Sequence, residues 1–319
     1  MPIDYINSSS SSLFSSTRQI DLKNEKSMVN EQQKQSQILS TDKGSHSYAD
    51  TLDPGEYIHT EINIDTLQIL KRGSDVLKSR FTFMQQQTTQ AKEVAEKLKT
   101  AIMQYSSFDG AANLRVFSNT VNGCLGELTR VLNVGDGRFS TFAGPALDRK
   151  SVVDLTTLPL IDTNSPISTD YFQGNTSSLE IDIHSYEINV YPANGADPFF
   201  EKIIHACRLA QVFSSGETID DKREILNKCQ NLVDSALNFE YLSITQKIGD
   251  EITKVNELDN ILIDAEFTEQ SKLETINNQD KLIAMIRYQE LESSRVILNN
   301  LMMQTARMDR EFADTISRM

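Results

Sequence analysis

Apolar residues fall into a regular stripe between Leu67 and Tyr105. Alternating steps of three and four give Leu67, Leu70, Ser74, Leu77, Phe81, Met84, Thr88, Ala91, Ala95, Leu98, Ile102 and Tyr105, and ten of these twelve positions are apolar. The residues between them are mostly Gln, Lys, Glu, Thr and Ser. This alternation keeps a narrow apolar stripe on one side of a helix over many turns, which is the seam of a coiled coil. At 1.5 Å per residue, 67–105 predicts a rod of about 58 Å. So narrow a stripe cannot bury itself, and other helices must lie along it. Leu67, Leu70, Leu77, Phe81, Met84, Leu98 and Ile102 are the expected helical core. Of these, Leu77 to Ile102 are expected to pack against helices at 111–132 and 218–262.

The rest of the pattern supplies such helices. The long helix is expected to begin near Ile58 and to end at Phe108-Asp109-Gly110. Leu114, Phe117, Val121, Leu125, Leu128 and Leu132 then share one helical face, long enough for an antiparallel return along the first helix. Gly123 and Gly126 weaken that helix locally and are expected to allow close helix approach. From Asn133 to Pro198 the periodicity changes. Gly135-Asp136-Gly137 reads as a turn and Arg138–Ala143 as β-prone. Leu179–Ile183 and Glu187–Tyr191 read as two strands around His184-Ser185-Tyr186. Asp197 as N-cap followed by Pro198 predicts a helix start. That helix should stop at Ser214–Gly216.

From Thr218 to Ser317 there is no Pro and a single Gly, Gly249. Leu226, Val233, Leu237, Ile244, Ile248, Ile252, Val255 and Leu262 form a helical stripe there. Leu291, Ser294, Leu298, Leu301, Thr305, Met308 and Phe312 then repeat the three-four alternation to the end. At the other terminus, a Ser run (Ser8–Ser12) leads into a Gln/Lys/Ser-rich stretch with few residues that could pack, among them Met28, Ile38 and Leu39. It is too polar to offset its ordering entropy and should be disordered over 1–45 in the monomer. Asp53-Pro54-Gly55 reads as a turn after it.

The predicted fold class is mainly α: an elongated long-helix coiled-coil bundle formed by the N- and C-terminal segments, with a small β-rich central insert. The expected division is 1–55 as a disordered N-terminal segment, 56–135 as the first half of the helical rod and 136–197 as the insert. The second half of the rod follows at 198–275, and 276–319 is an assembly helix.

Composition narrows the chemistry. A formal net charge of −14 with no basic stripe argues against nucleic-acid binding. No run approaches eighteen apolar residues, so no membrane insertion is expected, and the N-terminus lacks the features of a cleavable signal. Cys124, Cys207 and Cys229 read as small buried hydrophobes. His46, His59, His184 and His205 show no metal-ligand spacing, and His205 reads as a core-edge residue. Gly135-x-Gly137 lacks a third glycine and precedes a strand, so it fails as a phosphate cradle. Asp220-Asp221 reads as helix-start charge. No catalytic, metal or cofactor site can be nominated, and the chain is not expected to be an enzyme.

Several motifs resemble the flagellin superfamily. Gln35–Lys43 followed by Ser45–Asp50 looks like that family's N-terminal "LSTGK…SYADL" signature, with Asp42 where Gly is usual. Arg138–Gly144 is similar to the "yxFxG" strand after the second helix. Tyr171–Gly174 and Tyr191–Phe199 look like the "YYxGd" and "YgvxAnDpaFe" stretches of the hook–filament junction proteins, the third hook-associated protein, more than those of filament flagellin. Gln85–Ala95 lacks the Arg of the motif by which innate receptors recognise filament flagellins. The resemblance implies a structural subunit of the bacterial flagellum, extracellular and exported through the type III apparatus. It implies self-association and partners among the other axial proteins, namely filament flagellin and the hook-associated proteins, with an export chaperone. Filament flagellin and, more distantly, a cytoplasmic coiled-coil scaffold are the alternative readings.

The C-terminal stripe has only the sparse 1–45 segment as an intramolecular partner. Leu291, Leu298, Leu301, Met308, Phe312 and Ile316 are therefore the expected assembly interface, ordered by neighbouring subunits.

Overall fold

The computed structural model of the chain describes residues 23–40, 53–107, 111–135, 140–146, 149–183, 185–213 and 219–317, without the side chains of 106–107, 111–112, 219–221, 305–306 and 308–317. It is mainly α. Helix α1 spans 23–40 and α2 Pro54–Ser107, followed by α3 at Ala111–Asn133. After an insert carrying strands β1 (Glu180–Ile183) and β2 (Tyr186–Asn189) come α4 (Pro198–Val212) and α5 (Ile219–Ser235). A π-helical turn, Ala236–Glu240, leads into α6, Tyr241–Ser317. Two compact units are formed: 69–263, and 1–68 together with 264–319.

Helix α2 starts earlier than the turn-like Asp53-Pro54-Gly55 suggested. Asp53 Oδ1 accepts the Glu56 N–H at 2.9 Å, and Pro54 takes the first helical position, where a missing N–H is harmless. Inside the 69–263 unit, Phe81, Met84, Ala91, Ala95 and Leu98 are fully buried, and Leu77 and Ile102 nearly so. Helix α3 returns antiparallel along α2: Lys97 pairs with Glu127 at 3.0 Å, and Tyr105 meets Phe117 with ring centroids 5.1 Å apart. Lys99 reaches Asp234 of α5 at 2.7 Å, and Lys92 lies over the Tyr241 ring of α6.

Helix α4 is the centre of this unit, with Phe199, Phe200, Ile203, Ile204, Ala206, Cys207, Leu209 and Ala210 all buried. Its Lys202 donates to Ser235 at 2.9 Å and to Glu240 at 2.5 Å, bracketing the π turn. One ammonium bridging residues five apart suits the wider π spacing. The expected stop at Ser214–Gly216 lies outside the described residues.

The glycines of α3 act differently from the close-approach expectation. A Cβ on Gly123 would meet nothing within 4 Å, and one on Gly126 would touch only Thr156 of the insert, at 3.9 Å.

Most of the insert is irregular. β1 and β2 pair antiparallel, with Ile181 opposite Ile188 and Ser185 in the turn at φ 76°. Buried Glu251 of α6 docks the hairpin, accepting the Asn189 N–H at 3.0 Å and holding Lys254, which donates to the Glu187 carbonyl. Arg138 and Phe139 of the β-prone 138–143 stretch lie outside the described residues. Thr141–Ala143 form turns rather than a strand.

In the other unit α2 and α6 run antiparallel, since Asn63 bonds Glu269 and Gln68 bonds Glu266. Buried there, among the described residues, are Gln35, Ile38, Tyr57, Thr60, Ile276, Asp280 and Ala284. Residues 23–40 are helical, where composition predicted disorder over 1–45. The buried and half-buried positions of α1 are Glu25, Met28, Gln32, Gln35 and Ile38. They keep a three-four spacing although most are polar, so a helical seam exists that hydropathy does not report. Glu31 Oε1 accepts from Gln35 at 3.0 Å, satisfying part of it. The rest of 1–45 lies outside the described residues.

Candidate functional site

The segments 140–144, 171–175 and 191–200, far apart in sequence, converge on one knot of backbone. The Phe142 carbonyl accepts Gly195 N–H at 2.9 Å and Ser151 Oγ at 3.0 Å. Ala143 O accepts Asn175 N–H at 2.9 Å, and Ser151 O accepts Gln173 N–H at 2.8 Å. The buried Tyr171 hydroxyl donates to Gly195 O at 3.1 Å; burial, and after it Glu201 and Asp197, push this phenol up. Phe142 packs edge-on against Phe200 of α4, centroids 5.1 Å apart.

Two glycines make the crossing possible. Gly144 sits at φ 64°, where a Cβ would lie 2.0 Å from Asn175 O, and a Cβ on Gly174 would lie 2.5 Å from Ala143 O. Two chain segments touch backbone to backbone here, and only residues without a side chain allow it.

Asp197 occupies the N-cap position of α4 but does not cap with its side chain. Its carboxylate instead accepts Asn194 N–H at 2.6 Å and Lys247 Nζ of α6 at 3.0 Å. Tyr191 lies under the Arg80 guanidinium of α2, 4.3 Å from the ring centroid. No local sequence pattern marks Ser151, Arg80, Lys247 or Glu251 as partners of these segments. Glu251 and Lys254 form an ordinary i, i+3 pair in the sequence, and nothing in the chain's pattern links Arg80 to Tyr191.

The second candidate surface is the tail of α6. Leu67 and Leu70 of α2, at the other end of the chain's seams, are half-buried, as are Leu291 and Leu298. Leu301 is exposed, and Met302 takes the inner position in its place. The side chains of Met308, Phe312 and Ile316 lie outside the described residues. Leu282, Met285, Ile286, Val296, Ile297, Leu301 and Met303 are each between 48% and 60% exposed. At 100° per residue, Met285, Val296 and Met303 fall on one flank of the inner stripe and Ile286, Ile297 and Leu301 on the other. A helix apolar on both flanks as well as on its seam has the pattern of a helix surrounded by others. Among the described residues of its unit only seven are buried, and Gln35, Thr60 and Asp280 are three of them.

No family model matches the chain, and no curated protein does. Its backbone is similar to that of FlgL from Bacillus cereus, at 12% identity and a TM-score of 0.48, over 67% of this chain and 96% of that one. It is also similar to a Vibrio parahaemolyticus protein assigned as a flagellar hook-associated protein, at 9% identity and a TM-score of 0.45, over 71% and 95%.

Among the described residues, no group of His, Cys, Asp and Glu is arranged to hold a metal ion, and no helix is long and apolar enough to cross a membrane. Cys124, Cys207 and Cys229 are free and buried on three neighbouring helices. Burial pushes the Cys124 thiol up to about 11 and the Cys229 thiol up to about 12.

Proposed function

We propose that the chain is a structural subunit of the bacterial flagellum that polymerises through its terminal helices at the hook–filament junction. The observation that carries this reading is the 282–303 stretch of α6, apolar on both flanks of its seam. Covering the exposed half of each of those side chains contributes about 1 kcal/mol. Association costs several kcal/mol in lost freedom, roughly 4 or more. One flank alone, three side chains and about 3 kcal/mol, falls short of that, whereas a subunit that docks once between two neighbours already held in a lattice covers both flanks for a single association cost. A polymer meets this requirement more readily than a dimer.

The convergence of 140–144, 171–175 and 191–199 supports the flagellin-like part of the reading. The first carries the resemblance to the superfamily strand and the other two that to junction-protein motifs, and the three form one structural unit. The reading entails an extracellular location, partners among the axial proteins and an export chaperone.

Immunogold labelling of isolated flagella tests it. Label at the hook–filament boundary supports the junction role, and label along the filament replaces it with filament flagellin. A protein found only in the cell pellet, with flagella unlabelled, overturns the flagellar reading.

A further inference from the structure

Within the 69–263 unit, one flank of α2 is left open. Ile69, Val76 and Phe83 recur along it at heptad spacing; Ile69 is 65% and Val76 67% exposed, and Phe83 is half-buried. At about 100° per residue, these three share an arc of about 80° with Arg72 and Arg80. Arg72 is exposed, and Arg80 lies over the Tyr191 ring. Among the described residues neither arginine pairs with a carboxylate. Asp75, the acid nearest in sequence, falls outside the arc. Gly73, at the edge of this flank, is exposed, and a Cβ there would meet nothing within 4 Å. In a chain of net charge −14, this surface is both apolar and basic.

The hairpin of the same unit has the opposite character. Side chains alternate between faces along a strand, and the register sets Asp182 across from Glu187 and Glu180 across from Asn189. Glu180, Asp182 and Glu187 therefore share one face, and all three are exposed. Like charges directly opposite one another destabilise a strand pair. Glu180, through a hydrogen bond and its charge, and then Asp182 push the Glu187 carboxyl up, and Lys254 offsets part of this. Lys254 is itself engaged by Glu251 and the Glu187 carbonyl. Leu179, next in sequence to Glu180, is 46% exposed. The hairpin is docked on α6 through Glu251, while the 69–76 flank of α2 stays exposed.

We infer that the 69–80 flank of α2 receives the acidic hairpin face of a second copy of this chain, arginines against carboxylates and Leu179 against Ile69 and Val76. The inference rests on the polymer reading proposed above and adds a contact separate from the α6 tail. The two faces differ, so the contact is heterologous and extends from copy to copy. Complementary charge of this kind sets partner and register more than affinity, which leaves the holding strength to the tail.

Cysteine cross-linking in sheared flagella tests it, because Cys124, Cys207 and Cys229 are buried. Gly73→Cys and Ser178→Cys put thiols at two exposed positions beside the faces and keep every arginine and carboxylate. With a short bismaleimide, the double variant should give a ladder of covalent multimers, and each single variant only monomer. Adding Arg72→Glu should cut the ladder by about tenfold or more, the loss of a charge-assisted contact. Arg72→Lys should retain the ladder, and Arg72→Glu combined with Asp182→Arg and Glu187→Arg should recover it. A double variant that yields no ladder, while the unsubstituted protein is present in flagella, overturns the inference and leaves the flagellar reading standing. Dimers from either single variant, or a ladder indifferent to Arg72→Glu, also overturn it. Absence of the unsubstituted protein from flagella overturns both.

Discussion

Replacing Gly144 with Ala attacks the crossing on which the motif cluster is built. Its backbone lies at φ 64°, and the added Cβ would fall 2.0 Å from the Asn175 carbonyl oxygen. A side chain in the left-handed region costs about 1–2 kcal/mol. Forcing the two segments apart adds about 1–3 kcal/mol, as overpacking generally does. The expected destabilisation is therefore about 2–5 kcal/mol by urea unfolding. It should be accompanied by faster amide exchange at Asn175 and Gly195, whose N–H groups are bonded across the crossing. Gly249→Ala is the internal control. It is a helical glycine whose added Cβ would meet nothing within 4 Å, so the same substitution should stabilise by about 0.5–1 kcal/mol. If Gly144→Ala costs less than about 1 kcal/mol and leaves Asn175 exchange unchanged, the crossing is not a close backbone contact and the reasoning fails.

Other outcomes follow from the same packing. Phe81→Ala empties a fully buried seam position and should cost about 3–5 kcal/mol in thermal or urea unfolding; a loss below about 1 kcal/mol contradicts a buried seam there. Glu187 is raised above its ordinary value of 4.5 by Glu180 and Asp182, so the folded hairpin holds its proton more tightly than the unfolded chain. Hairpin stability should be greatest below about pH 4.5 and decline as pH rises through the raised value; amide protection factors measure this, and Glu187→Gln should flatten the dependence. The three buried thiols should resist a disulfide reagent in native buffer and all react in denaturant; rapid native labelling contradicts their burial.

The seams of α2 and of the first part of α6 were legible because helical periodicity is a property of each helix alone. Ser74 and Thr88, the polar members of the α2 stripe, are buried with the rest. Helix α1 was not legible, since its inner positions are mostly Glu and Gln and hydropathy reports no stripe. The tail was read one residue out of phase at Leu301, where Met302 faces inward. A helix of 3.6 residues per turn drifts against a seven-residue repeat, so a pattern fixed at Leu291 loses its phase within a few turns. The strands were found to within a residue or two because Ile181, Ile183 and Ile188 alternate with polar residues. The knot was invisible as a structure. Its Gly144 and Gly174 appear in the sequence only as motif letters, and their partner backbones lie some thirty residues apart. The Arg80–Tyr191 stack joins two elements that no local pattern connects.

The central claim is that the outer flanks of the α6 tail are surfaces for neighbouring subunits, and Ile297→Asp tests it most directly. Ile297 is 60% exposed, so in the isolated chain the new carboxylate remains solvated, and surface changes of this kind fall within about 0.5 kcal/mol. Between subunits the same carboxylate would be buried without a partner, at a cost of several kcal/mol on the order of that for any unpaired polar group. The measurement is incorporation of the variant into sheared flagella, alongside the melting curve of the purified protein. The account predicts loss of incorporation with an unchanged melt. Normal incorporation of Ile297→Asp would contradict it.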